Sequence, residues 1–180
     1  KREKATMFCF QCQETAKDKG CTIAGVCGKK EETSNFQDLL IFNLKGIAVL
    51  AAKAKEAGID VTTEAGRFAA KALFTTITNA NFDDASLVAW VKQALAVKKG
   101  LVEKLEGKLG NDVDGSALWF SDNEEEFQAK AKTVGVLATE NEDVRSLREL
   151  LVIGLKGVGA YADHAAVLGV EKPEIYDFVL

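Results

Sequence analysis

Proline is nearly missing from this chain: Pro173 is the only one in 180 residues. Long helices therefore meet few breakers, and apolar positions recur at helical spacing through most of the sequence. No uninterrupted apolar run reaches the roughly 18 residues of a membrane span, which argues against a membrane partner. A basic surplus is missing as well. The formal charge is −4, whereas a nucleic-acid footprint shows as a basic domain. No apolar leader precedes the first cysteine, because Lys1–Thr6 is charged without a hydrophobic core, so the expected setting is reducing and cytoplasmic. Histidine occurs once, at His164, and no cysteine follows Cys27.

What the chain does have is four cysteines within nineteen residues, Cys9, Cys12, Cys21 and Cys27, spaced C-x2-C-x8-C-x5-C. A short loop closed by a C-x2-C pair can bring soft thiolates onto one metal centre. A disulfide framework is the bland alternative, but it suits small secreted domains, and a chain of this length can bury a core without staples. Structural zinc is the stronger rival. Cys12, Cys21 and Cys27 reproduce part of a CCCH zinc finger whose histidine would fall at position 31, which is Glu31. Cys9 could take that place and give an all-cysteine zinc site, so spacing leaves zinc and iron–sulfur both open.

The residues between the cysteines carry more. Met7-Phe8-Cys9-Phe10-Gln11-Cys12-Gln13-Glu14-Thr15, then Gly20-Cys21 and Val26-Cys27-Gly28-Lys29, closely resembles the N-terminal cluster motif of the hybrid cluster (prismane) proteins. The run from Leu137 to Leu151 is similar to a second signature of that family, shared more loosely with nickel carbon monoxide dehydrogenases. The likeness extends from Met7 onward and leaves Lys1–Thr6 as an extension.

The resemblance implies that Cys9, Cys12, Cys21 and Cys27 ligate a cubane [4Fe-4S] cluster, with a [2Fe-2S] centre in wider-spaced members of the family. It also implies a hybrid iron–sulfur–oxygen cluster in later domains, where hydroxylamine and, by some links, nitric oxide are reduced. Partners would be those downstream domains and a redox donor protein. No catalytic residue is assigned within this chain, and His164 is expected to be a packing or surface histidine. Lys17, Lys19, Lys29 and Lys30 fit a negatively charged cluster, or are simply solvated. Phe8 and Phe10 would shield the site or pack.

The fold expectation is all-α. Residues 1–33 form the cluster loop, 34–106 a three-helix bundle, 107–122 a glycine-bearing linker and 123–180 the start of a second, truncated bundle. A capping box at Ser34-Asn35-Phe36-Gln37 opens a helix running to Gly58. A second helix runs from about Thr63 to Asn79 and a third from Asp83 or Asp84 to about Glu106. Ser121-Asp122-Asn123-Glu124 starts a short helix ending at Gly135, and Thr139-Glu140-Asn141-Glu142 caps a long one reaching Gly169. The charged run Glu140, Glu142, Asp143, Arg145, Arg148 and Glu149 reads as a helix-start network, or as an interface to absent domains.

An internal repeat joins the halves. A shift of 111 residues pairs Leu39, Leu40, Leu44, Lys45, Gly46, Ala51, Ala54 and Gly58 with Leu150, Leu151, Leu155, Lys156, Gly157, Ala162, Ala165 and Gly169. Mid-helix Gly46 and Gly157 suggest close helix approach, since glycine there costs about 1 kcal/mol relative to alanine. The register also makes Phe178-Val179-Leu180 the start of a helix whose remainder, with its neighbour, would lie downstream.

Overall fold

The computed structural model describes residues 7–77, 80–110 and 112–180. Among them are seven α-helices: α1 (Glu31–Glu56), α2 (Thr62–Thr75), α3 (Asp84–Lys104), α4 (Gly115–Leu118), α5 (Glu124–Val134), α6 (Glu142–Val167) and α7 (Pro173–Val179). The chain is all-α, as its periodicity predicts. The expected second-helix terminus at Asn79 lies outside the described residues, as does Lys1–Thr6.

Caps explain where most helices begin. Asp83 accepts from the Ala85 and Ser86 amides at the start of α3, and Asn141 accepts from Val144 at the start of α6. Asn123, not Ser121, caps α5 by accepting from the Glu125 amide. The box expected at Ser34–Gln37 does not form. Helix α1 starts a turn earlier at Glu31, with Lys30 extended and offering no side-chain cap, while Glu31 and Glu32 face the positive end of the dipole. Gln37 is drawn away to accept from Lys29 and to donate to the Asn81 carbonyl. The stretch from Gly107 to Asn123 is more than a linker, because α4 forms within it and Ser116 and Ala117 are buried.

Helix α1 is the axis of the core. Its most extensive neighbour is α3, followed by α5, α4 and α2. Leu39, Leu40, Ile47 and Leu50 are wholly buried, and each such side chain contributes about 1.5–3 kcal/mol of apolar burial. Phe42, Trp119 and Phe127 stack edge to face on one flank, with centroids 6.2 and 6.1 Å apart. Buried Lys98 of α3 ties that flank together by donating to Asn43 Oδ1 at 3.1 Å and to the Trp119 carbonyl at 2.6 Å. Helix α2 turns the other way and makes its largest contacts with α6 and α7. A Cβ on Gly159 of α6 would stand 2.7 Å from the Ala70 carbonyl oxygen, so only glycine permits that approach.

The repeat is visible in the backbone. Helices α1 and α6 both have 26 residues, and the step from Glu31 to Glu142 equals that from Thr62 of α2 to Pro173 of α7, namely 111. Their C-termini share the bonds around the terminal glycine. The Ile59 amide donates to the Ala54 carbonyl at 2.8 Å and the Val170 amide to Ala165 at 2.9 Å, around Gly58 and Gly169 at φ +74° and +79°. Gly46 does permit a close approach, since its Cβ would lie 2.3 Å from the Ser116 carbonyl oxygen, whereas a Cβ on Gly157 would meet nothing within 4 Å. By length and composition α6 could cross a membrane, with a mean hydropathy of 1.3 over its best window. One such helix is weak evidence of a span; α6 lies along α2 with Lys156 and Gly159 buried, and only 17% of the window is covered within the chain.

Candidate metal centre

The cysteine segment folds back on itself ahead of α1. Cys9 and Cys21 pair as an antiparallel bridge, each donating its amide to the other's carbonyl at 2.9 Å, and the Met7 amide reaches the Thr22 carbonyl at 3.2 Å. Between them, Ala16–Asp18 makes a tight turn in which Lys17 and Asp18 both adopt φ of 55°. Two successive non-glycine residues in the left-handed region are uncommon and mark a loop held by its surroundings. Gly20 at φ +115° leaves room for the Phe8 ring, since a Cβ there would stand 2.6 Å from it. Past Cys21 the chain turns again, with the Gly25 amide on the Lys29 carbonyl and the Gly28 amide on the Gly25 carbonyl, both at 2.8 Å.

All four cysteines are free; Cys9 and Cys21 are buried, Cys12 and Cys27 half-buried. Burial pushes the Cys9 thiol above its ordinary value, against the opposing pull of Lys29 and Ser34. Of the four lysines noted from sequence, only Lys29 is buried; Lys17, Lys19 and Lys30 are exposed. Phe8 and Phe10 are half-buried.

Beneath the loop lies a polar layer that the cysteine spacing does not reveal. Lys156, at the middle of α6 and 3% exposed, donates to the Gln11 carbonyl at 2.9 Å, to Gln11 Oε1 and to the Thr76 carbonyl at 3.5 Å. An ammonium has three protons, and all three are placed. The same Gln11 amide donates through Nε2 to Asp38 of α1. Burial raises the Asp38 carboxyl to about 7, with Lys156 pulling it down, and burial lowers Lys156 to about 8, with Lys29 adding to the fall. A cleft of roughly 290 Å³ lined by Gln11, Cys12, Ile153, Lys156 and Gly157 opens beside this layer.

Among the described residues, no three His, Cys, Asp or Glu side chains stand together as a ready grip for a single ion. The donors nonetheless suit a sulfur-bridged iron group: the only four cysteines of the chain, all free, share one loop, and the hydroxyls of Thr15 and Ser34 are buried without a well-formed hydrogen bond. Ser34 lies close enough to the Cys9 thiol to lower its pKa. A hydroxyl beside sulfur is the kind of donor that tunes an iron–sulfur centre.

His164 stays outside this arrangement, exposed and edge-on to Phe74 with centroids 5.1 Å apart, as expected of a packing histidine. The charged run at the start of α6 is a helix-start network in which the arginines reach back to the residues before the helix. Arg145 donates to the carbonyls of Thr139 and Glu140 at 3.0 and 3.4 Å, and Arg148 to the Thr139 hydroxyl at 3.1 Å. Asp38, Gln11 and Lys156 were not singled out from sequence. The signal that bears on them was the repeat, which marks Lys156 as a register position while its burial follows from packing alone.

The sequence pattern described as the Prismane/CO dehydrogenase family matches residues 7–180. Among curated relatives, a hydroxylamine reductase of Desulfitobacterium hafniense (strain Y51) is 53% identical over 178 residues, covering 97% of this chain and 32% of the relative. A hydroxylamine reductase of Nitratidesulfovibrio vulgaris (strain Hildenborough) is 54% identical over 182 residues, with the same coverage of each. One from Clostridium novyi (strain NT) is 52% identical over 177 residues, again 97% and 32%. The chain spans about a third of the length of the curated relatives it matches.

Proposed function

The chain belongs to the Prismane/CO dehydrogenase family, and on that premise we propose that Cys9, Cys12, Cys21 and Cys27 hold a [4Fe-4S] cluster serving electron transfer in a hydroxylamine reductase. The observation that carries this reading is the cysteine loop itself: four free thiols, two of them buried and cross-paired, with the buried Ser34 hydroxyl beside Cys9 and the loop over buried Lys29 and Lys156. When bound, such a cluster supplies a one-electron redox step at a potential set by hydrogen bonds, charge and exposure.

The chain's own residues would shape that step. The Cys9–Cys21 bridge fixes two ligands against each other, Ser34 offers a hydroxyl donor to the Cys9 sulfur, and the lysines offset the negative charge of four thiolates. Every cysteine is taken by this one site, and His164 stands apart from it. Reduction of hydroxylamine to ammonia, and of nitric oxide where it occurs, is therefore assigned to a hybrid iron–sulfur–oxygen cluster in downstream domains, fed by this centre from a cytoplasmic redox donor protein. Residues 1–180 alone are read as inactive toward hydroxylamine.

Anaerobic reconstitution followed by iron and sulfide analysis tests the reading. About four of each per chain is the expected result. Two of each would replace the cubane with a [2Fe-2S] centre. Stoichiometric zinc in natively purified protein that takes up no iron would overturn the iron–sulfur reading in favour of a helical module held by a four-cysteine zinc site.

A further inference from the structure

Among the described residues whose side chains bond to the cysteine loop, Lys156 is the most distant from it in sequence. Its ammonium, supplied by the middle of α6, ends on the backbone carbonyl and side chain of Gln11, which sits between Cys9 and Cys12. The repeat provides an internal reference for this placement. Lys45 occupies the matching position on α1, one 111-residue step earlier, and is exposed. The acids match too, since Asp38 of α1 stands one step before Glu149 of α6. Each acid therefore faces the lysine of the other half: exposed Lys45 of α1 stands across a cleft from Glu149 of α6, while buried Lys156 of α6 and buried Asp38 of α1 are bridged by Gln11. The two pairs differ in that Gln11 of the cysteine loop bonds directly to both members of the second.

Burying an ammonium is costly, and a lysine kept there must be compensated locally. Three oxygen acceptors and Asp38 do so in part. Helix packing alone does not require a charge at this site, since the matching lysine on α1 serves that helix from the surface.

Resting on the cluster reading above, we propose that Lys156 is a positioning residue for the iron–sulfur centre: it anchors the Cys9–Cys12 turn through Gln11 and places a buried positive charge behind the ligands. Reduction adds one negative charge to the centre, and a fixed positive charge behind it stabilises the reduced form. Removing that charge makes the centre harder to reduce.

The experiment compares Lys156→Gln, Lys156→Arg and Lys45→Gln in the reconstituted chain by EPR-monitored redox titration. Wild-type protein must first show a reducible iron–sulfur signal; its absence would sink the cluster reading and this proposal with it, whereas failure of the variants alone sinks only the proposal. With the cluster present, Lys156→Gln is expected to raise the ratio of oxidised to reduced centre about tenfold at a fixed applied potential, a fall of about 59 mV in midpoint for a one-electron couple. Lys156→Arg and Lys45→Gln should stay within a twofold change of that ratio. If Lys156→Gln binds no cluster, recovery of both cluster and potential in Lys156→Arg supports the assignment equally. The proposal is overturned if Lys156→Gln keeps its cluster and titrates as wild type, or if both Lys156 variants lose the cluster despite the retained charge of arginine.

Discussion

Helices α1 and α6 have the same length, the same bonds around a C-terminal glycine and matching apolar positions, yet they live in different surroundings. Leu39 and Leu40 are fully buried, whereas Leu150 and Leu151, their partners in the repeat, are 61% and 60% exposed. Neighbours make the difference: α1 is wrapped by α3, α4, α5 and part of α2, while α6 is met along one stripe by α2 and more lightly by α7. Local sequence therefore determines that both segments are helical and where both stop. Burial is decided by which elements reach each face, and the same residue at the same register can be core in one copy and surface in the other.

The sharpest contrast between the copies is electrostatic, and pH exposes it. Asp38 has its carboxyl pushed by burial from an ordinary 3.8 to about 7, facing Lys156 and Glu149 of α6, Gln11 and Lys29 of the loop. A carboxyl raised in the folded state favours folding most where it is protonated in both states, below about pH 4, and that contribution is lost as pH rises through 7. At about 1.4 kcal/mol per pKa unit the full span is on the order of 4 kcal/mol. Lys156 runs the opposite way: lowered to about 8, its contribution is present above 10.5 and lost as pH falls through 8. The metal-free chain should accordingly lose stability between pH 4 and 7, with Asp38→Asn flattening the decline. Glu149→Gln, at the half-buried matching position, should flatten it less. Denaturant unfolding at several pH values measures both slopes, and equal effects from the two variants would erase the contrast between copies.

Truncation of the matched leucines comes next in size. Leu40→Ala removes a wholly buried side chain and should lower stability by about 3 kcal/mol. Leu151→Ala, on the bare face of α6, should stay within about 0.5 kcal/mol. A comparable loss from both, measured by urea unfolding of the 180-residue chain, would mean that α6 is covered in solution after all.

These contrasts also show what could be read from the chain beforehand. The helices were legible because apolar spacing and glycine after a helix end are local signals, and the 111-residue step held from Glu31 to Pro173. The start of α1 was misplaced because a Ser-x-x-Gln pattern looks like a cap whether or not its side chains turn back to the backbone, and here Gln37 is held by Lys29 and Asn81. The one-turn helix α4 was hidden in a stretch whose glycines read as loop. It forms where Gly46 lets the chain press onto α1. At the candidate centre the four cysteines stand out by spacing, but Asp38 and Lys156 carry no mark of their own. Their part depends on a loop folding over two helices from opposite halves of the repeat, and such long-range placement leaves no periodic trace.

The smallest effect is also the one that changes sign. Gly46 and Gly157 are the same residue at the same register, and propensity alone says that alanine at either would steady its helix by about 1 kcal/mol. At Gly46 that gain is overridden, because a Cβ would lie 2.3 Å from the Ser116 carbonyl oxygen and 2.7 Å from its carbon, both backbone atoms that cannot rotate aside. Moving α4 off α1 also disturbs the Trp119 carbonyl that Lys98 holds at 2.6 Å, so Gly46→Ala should destabilise by about 1–3 kcal/mol. At Gly157 the added methyl meets open space within 4 Å, nothing opposes the propensity gain, and Gly157→Ala should raise stability by about 1 kcal/mol. Thermal or urea unfolding of the two variants reads the opposite signs directly. A loss at Gly157 would show that something packs against that turn of α6, and the two halves of the repeat would be more alike than their exposure indicates.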